Sequence, residues 1–312
     1  MGTRGTAWKT RATTAITRFR AADDGTAGAY AYASMAEACG RVYGWGHTWT
    51  TTYFNTVYNL RNPDGGWGLS RAYDAFGDGS VNDPQTTYTV TLADHVGMPL
   101  LAGYQAGVVP KARVQGIVDM LMAMPRVPVD RGQCVAYSTR ADDAQPGYEV
   151  HNVSAGVGYF LHRAGALGLG ATGMHRLITD ISIHQVDAYR TADIWWPYLA
   201  DGPNQDPDHQ AYSAQSMYPI AYWVGREAIY KLMTTAYPDD PMSPLAHMRL
   251  VSTPGGVASW SRTHGSPITL WGELGDQWLA EASAFITNPP GGYPLTRLAQ
   301  AALFCARNSG VS

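Results

Sequence analysis

The chain has 312 residues, of which only 15% are charged, and a formal net charge of -3. That length suits one large domain or two ordinary ones, and no linker-like run divides it, so a single domain over residues 1–312 is expected. Lys and Arg form no cluster that would mark a nucleic-acid or membrane partner, and no run of about 18 apolar residues suggests a membrane-spanning helix.

Three cysteines, Cys39, Cys134 and Cys305, lie far apart without a C-x-x-C pair and read as buried thiols. The first twenty residues scatter basic side chains and contain no apolar core, so a secretory leader is not expected. The setting this implies is the cytosol or a virus particle, with virion assembly partners in the second case. Nothing in the sequence sets an oligomeric state.

In chain order, helical periodicity covers residues 7–21 and 27–42, breaks at Gly44-Trp45-Gly46, and resumes over 48–60. A glycine-rich turn, Asp64-Gly-Gly-Trp67-Gly, leads into a loop carrying Asp74, Asp78 and Asp83. Asp83-Pro84 reads as a helix start, the aspartate capping free N–H groups and the proline standing where no N–H is needed. A helix is expected from there to about residue 107, with Tyr88, Thr91 and His95 on one face. Further helices are expected over 111–124, 148–163, 171–189, 209–223, 226–235, 273–286 and 294–307.

Tyr30, Tyr88, His151, Tyr212 and Glu273 each fall near a helix start after a Gly/Pro/Asp loop, about sixty residues apart. Each unit pairs a helix entered from a long, chemically rich loop with one entered from a short turn. An all-α chain of five or six such hairpins is expected to close into an α/α toroid.

Asn62-Pro-Asp-Gly-Gly-Trp-Gly68 is similar to the aspartate-glycine-tryptophan repeats of the squalene cyclase and prenyltransferase superfamily. The loop-plus-helix pattern at 74–91, and Trp195-Trp-Pro-Tyr198 ahead of Asp206-Pro-Asp-His-Gln, more nearly resembles the α/α-toroid enzymes of glycan metabolism: glycoside hydrolases, polysaccharide lyases and uronosyl epimerases. That resemblance implies a glycan substrate at one mouth of the ring. The double aspartates at 23–24, 142–143 and 239–240 complete neither D-x-D-D nor D-D-x-x-D, which leaves a terpenoid cyclase with the single DGGWG.

Sugars present C–H faces and hydroxyls, so aromatic platforms beside short polar groups would hold them. The candidates are Trp67, Trp195, Trp196, Tyr198, Tyr148 and Tyr212, each with burial in the core as its alternative. Hydrolysis uses two carboxyl groups, one protonated and one ionised. Asp94, Asp83 and Asp208 are the acids offered for this work, although Asp83 and Asp206 precede proline and can simply be caps. Asp94 sits inside a helix, where aspartate has poor propensity. Elimination from a uronate would instead use Tyr88, His151 or His209 as base. No H-x-x-x-H, H-E-x-x-H, G-x-S-x-G, phosphate loop or dinucleotide fingerprint occurs, so neither a metal nor a cofactor is expected. A non-catalytic glycan-binding or structural module, such as a phage tail protein, would share the aromatics and lack the working acids.

Overall fold

The computed structural model describes residues 3–189, 195–200, 202–234, 246, 249–250, 276, 279–289 and 294–310, and these are mainly helical. The helices are α1 (Thr3–Ala22), α2 (Ala29–Tyr43), α3 (Thr48–Asn59), α4 (Gly97–Gln105), α5 (Lys111–Ala123), α6 (His151–Ala166), α7 (Met174–Ala188), α8 (Pro207–Met217), α9 (Tyr222–Thr234), α10 (279–287) and α11 (Pro294–Asn308). A π-helical turn, Thr91–His95, precedes α4. Two small antiparallel hairpins sit in the loops: β1 (Tyr73–Asp74) with β2 (Val81–Asn82), and β3 (Arg126–Val127) with β4 (Cys134–Val135). Among the described residues no helix is long and apolar enough to cross a membrane.

The helices fall into two kinds. In α2, α6, α8 and α11 buried residues occur on every side, and the sequences are rich in Ala, Gly and Ser. In α3, α5 and α7 only one face is buried, as with Val114, Ile117, Val118 and Leu121 of α5. All-round burial places a helix inside its neighbours, and a single apolar stripe places it on the outside. The contacts agree. Neighbouring pairs run α11 with α2, α2 with α4, the π-helical turn with α6, and α6 with α8. Each of these inner helices also carries a partner: α1 on α11, α3 on α2, α5 on α4, α7 on α6 and α9 on α8. Leu279 and Ile286 of α10 accept hydrogen bonds through their carbonyls from Arg11 and Arg18 of α1.

Helices were expected at each of these places, but several boundaries move: the helix expected over 209–223 ends at Met217, and Tyr222 and Trp223 open α9 instead. Pro84 does not begin a helix. The Asp83 carbonyl accepts from Thr86 N–H at 2.9 Å, and its carboxylate accepts from Gln85 N–H at 2.7 Å, which makes a tight turn. The β-branched run that follows pairs with residues 136–139: Thr89 N–H donates to the Tyr137 carbonyl at 2.9 Å, and Thr139 N–H to the Thr87 carbonyl at 3.0 Å. Thr and Tyr suit an extended ladder better than a helix. The helix at 148–163 likewise starts three residues late, at His151. Asp206, by contrast, caps α8 as its Pro207 implied, accepting from His209 N–H at 2.9 Å.

Candidate functional site

The π-helical turn has two local causes. Pro99 has no N–H to return to the carbonyl of His95, four residues earlier. At Gly97, a β-carbon would lie 1.8 Å from the Leu92 carbonyl oxygen, so only glycine permits the approach. Val96 N–H instead bonds the Thr91 carbonyl, five residues back, at 2.9 Å. The extra residue rotates the chain so that Asp94 and His95 both turn inward. Such turns inside helices recur at functional sites.

His95 stacks on Tyr30, with ring centroids 3.8 Å apart and planes within 2°. Burial pushes its imidazole down to about 4, so it is neutral near pH 7. Asp94 meets Arg249, which donates to its two carboxylate oxygens at 3.4 and 3.2 Å and to the Gln215 Oε1 at 3.0 Å. Burial raises the Asp94 carboxyl, and the Arg249 charge and hydrogen bond, with smaller contributions from His95 and Arg307, together more than offset this, leaving it below the usual carboxylate range. Arg249 also lies over the rings of Tyr212 and Phe304, at 4.7 and 5.4 Å.

Beside this pair lies a cavity of about 220 Å³. Its wall is drawn from the last turns of five of the described helices, through Arg41 of α2, Gln105 of α4, Arg163 of α6, Gln215 of α8 and Arg307 of α11, and from Met98, Leu101 and Ala102 farther up α4. Asp94 and Tyr159 also reach it, as does Glu37. Glu37 is fully buried and clamped, Oε1 accepting from Arg41 and Arg307 at 2.8 Å each and Oε2 from Arg307 at 2.7 Å. Burial raises its carboxyl too, and the two guanidinium groups outweigh that, so it is held low. The three arginines also stand where a cation meets the negative end of a helix dipole, worth about 0.3–1 kcal/mol each.

The other residues singled out from the sequence lie elsewhere. Trp67 and Trp196 are core residues, not sugar platforms: both rings are buried, and each indole N–H bonds a carbonyl, that of Val57 at 2.8 Å and that of Gln185 at 2.9 Å. The DGGWG turn is a staple, with Asp64 accepting from Gly66 N–H and the Thr87 hydroxyl, and the Trp67 carbonyl accepting from Tyr88 and Thr91. Trp195 is half-buried against the core around α8 and α9. His151 is buried, its Nδ1 3.3 Å from the Gln185 amide and its ring stacked on His184. Tyr88 is buried edge-on to Tyr137, where burial pushes its phenol up to about 12. Asp83 is exposed in its turn, and Asp208 is half-buried in the first turn of α8.

Several of these do gather around Tyr137. Tyr88 and Tyr212 share its apolar cluster, with Tyr198 packed against it. Phe76 touches Tyr137 and stacks on Tyr148 at 4.0 Å, and the Tyr148 hydroxyl donates to Asp78. Tyr198 meets the ring of His209, whose Nδ1 lies 2.5 Å from the Asp206 carboxylate. Of the acids and bases proposed for catalysis, only Asp94 lines the cavity. Glu273 lies outside the described residues. Among those residues no group of three or more His, Cys, Asp or Glu side chains is placed to hold a metal ion.

Sequence reasoning missed Glu37, Tyr159, Arg163, Arg249 and Arg307. A signal for two of them was present: Phe160-Leu-His-Arg163 and Phe304-Cys-Ala-Arg307 repeat one F-x-x-R pattern in the last turns of α6 and α11. No family model matches the chain, and no curated protein or solved structure matches it either.

Proposed function

We propose that this chain is an α/α-toroid, carbohydrate-active enzyme that takes a polysaccharide or oligosaccharide at its central cavity and cleaves it. The observation that carries the reading is the convergence of five helix C-terminal turns on one polar cavity with Asp94 in its wall. Helices that end together run in a common direction around one axis, which supports a ring of inner helices backed by outer ones. Arg249 fits a sixth inner position, since it touches α8 through Gln215 and α11 through Phe304.

Of the two routes, elimination is better supported than hydrolysis. Hydrolysis needs a protonated carboxyl, and both cavity carboxylates are ion-paired and held ionised. Elimination would take the proton alpha to a uronate carboxylate, break the adjacent C–O bond and return a proton to the leaving oxygen. Tyr159, which accepts from Arg163 at 3.5 Å, is the hydroxyl suited to that proton transfer. The test is incubation with bacterial cell-wall and capsular glycans, reading both reducing ends and the ultraviolet absorbance of an unsaturated uronate. Absorbance that disappears in Tyr159→Phe supports elimination, and reducing ends without absorbance return the case to hydrolysis.

The second reading is a glycan-binding or structural module, such as a phage tail protein. It is favoured by the same ion pairs, because locked carboxylates serve architecture as well as chemistry. Retention of glycans without either product would establish it. A terpenoid cyclase has no support beyond DGGWG, whose tryptophan is spent on the core.

A further inference from the structure

The cavity wall is one-sided in its hydrogen bonding. Arg249 occupies the Gln215 oxygen, which fixes that amide with its NH₂ group as the remaining polar end. Tyr159 accepts from Arg163, leaving its own hydrogen to donate. Most acceptors are already engaged, both Glu37 oxygens by Arg41 and Arg307 and both Asp94 oxygens by Arg249, with the Gln105 amide oxygen as the further side-chain acceptor in the wall. In α4 and α6 end carbonyls are also taken up by the chain that follows, Gly103 accepting from Val108 and Val109 N–H and Ala164 from Leu167 and Leu169 N–H. Among the described residues, then, the cavity offers guanidinium, amide and hydroxyl donors and few acceptors in return.

A neutral sugar is poorly matched to such a wall, because each of its hydroxyls donates as well as accepts, and a buried donor left without an acceptor is costly. A carboxylate only accepts. The volume of about 220 Å³ is below the roughly 300–1,000 Å³ of pockets for drug-sized ligands, so one ring enters and a threaded chain does not.

We infer that the cavity selects a single carboxylate-bearing sugar unit at a chain end, with the Gln215 amide and the Arg163 guanidinium as the residues that recognise its acid group. This rests on the glycan reading above and adds the charge and the size of what enters.

The test is titration of the full chain, by calorimetry and thermal shift, with D-glucuronate, D-glucose and sodium sulfate. Glucuronate is expected to bind at least about tenfold more tightly than the other two. Gln215→Leu and Arg163→Gln should each weaken it at least about tenfold with an unchanged circular dichroism spectrum, and Arg163→Lys should weaken it less. Should Gln215→Leu fail to fold, Arg163→Gln, at a half-exposed position, carries the comparison. Glucose binding as tightly as glucuronate, no glucuronate binding, or equal binding of sulfate would each overturn the inference. Its failure is separable from that of the enzyme reading: product from a neutral glycan keeps cleavage and removes acid selection, whereas glucuronate binding without any product keeps acid selection and removes cleavage.

Discussion

Arg249 and Asp94, 155 residues apart in the chain, meet as an ion pair whose side chains are only 13% and 12% exposed. Removing one member strands the other charge away from water, which typically costs about 3–5 kcal/mol. Arg249→Met is therefore expected to lower unfolding stability by about that amount, while Arg249→Met with Asp94→Leu costs less than the sum of the single changes. Denaturant titration of the four proteins gives the coupling. Strictly additive losses would show that the pair is not a unit.

Acid should weaken the fold in two stages. His95 has a folded value near 4 against an ordinary 6.5. The unfolded chain therefore takes its proton first, and stability falls as pH drops from about 6.5 toward 4. Glu37 and Asp94 are held below their ordinary values of 4.5 and 3.8. Their contribution is complete above those values and is lost as pH falls further, through the folded ones. His95→Gln should make the upper stage shallower and leave the lower one unchanged, the rest of the upper stage coming from His184, which burial also holds low. A melting temperature constant from pH 7 to pH 4.5 in the parent protein would contradict the assignment.

Two tryptophans should behave oppositely. Trp196→Ala removes a fully buried ring and is expected to cost about 3–5 kcal/mol. Trp223 is 74% exposed, and Trp223→Ala should change stability by no more than about 0.5 kcal/mol. Equal melting temperatures for the two variants would refute this placement of the indoles.

Gly97→Ala tests the π-helical turn. With no room for a β-carbon beside the Leu92 carbonyl, the turn must open, and a loss of about 1–3 kcal/mol is expected from the forced backbone shift. Because the same turn aims Asp94, any product formation should fall with it. A variant as stable and as active as the parent would mean the turn relaxes freely.

The helices were legible because their signals are local. A one-faced stripe such as that of α5, or the Asp206-Pro207 start of α8, needs only neighbours in sequence. Asp83-Pro84 carries the same dipeptide and forms a turn, because residues 136–139 compete for the backbone that follows, and that partner is invisible in the local pattern. The roles of Trp67 and Trp196 were open for a related reason: an indole in a loop looks the same whether it faces a cleft or a distant carbonyl. Asp94 stood out as an acid out of place in a helix. Its partner Arg249, like the Glu37 clamp, depends on which helix ends converge, and that is set by the whole arrangement.

The packing of α1 on α11, and the clamp that Arg307 places on Glu37, join parts of the chain 270 residues apart. Loop-closure entropy must be met before such contacts give anything back, so a topology closed by its most distant segments folds slowly for its helical content. During synthesis, α2 leaves the ribosome with Glu37 able to pair only with Arg41 of its own helix, and nearly the whole remaining sequence must follow before Arg307 completes the clamp. Until then the small-residue faces of the inner helices that α11 covers stay open, and aggregation is the expected hazard of that interval.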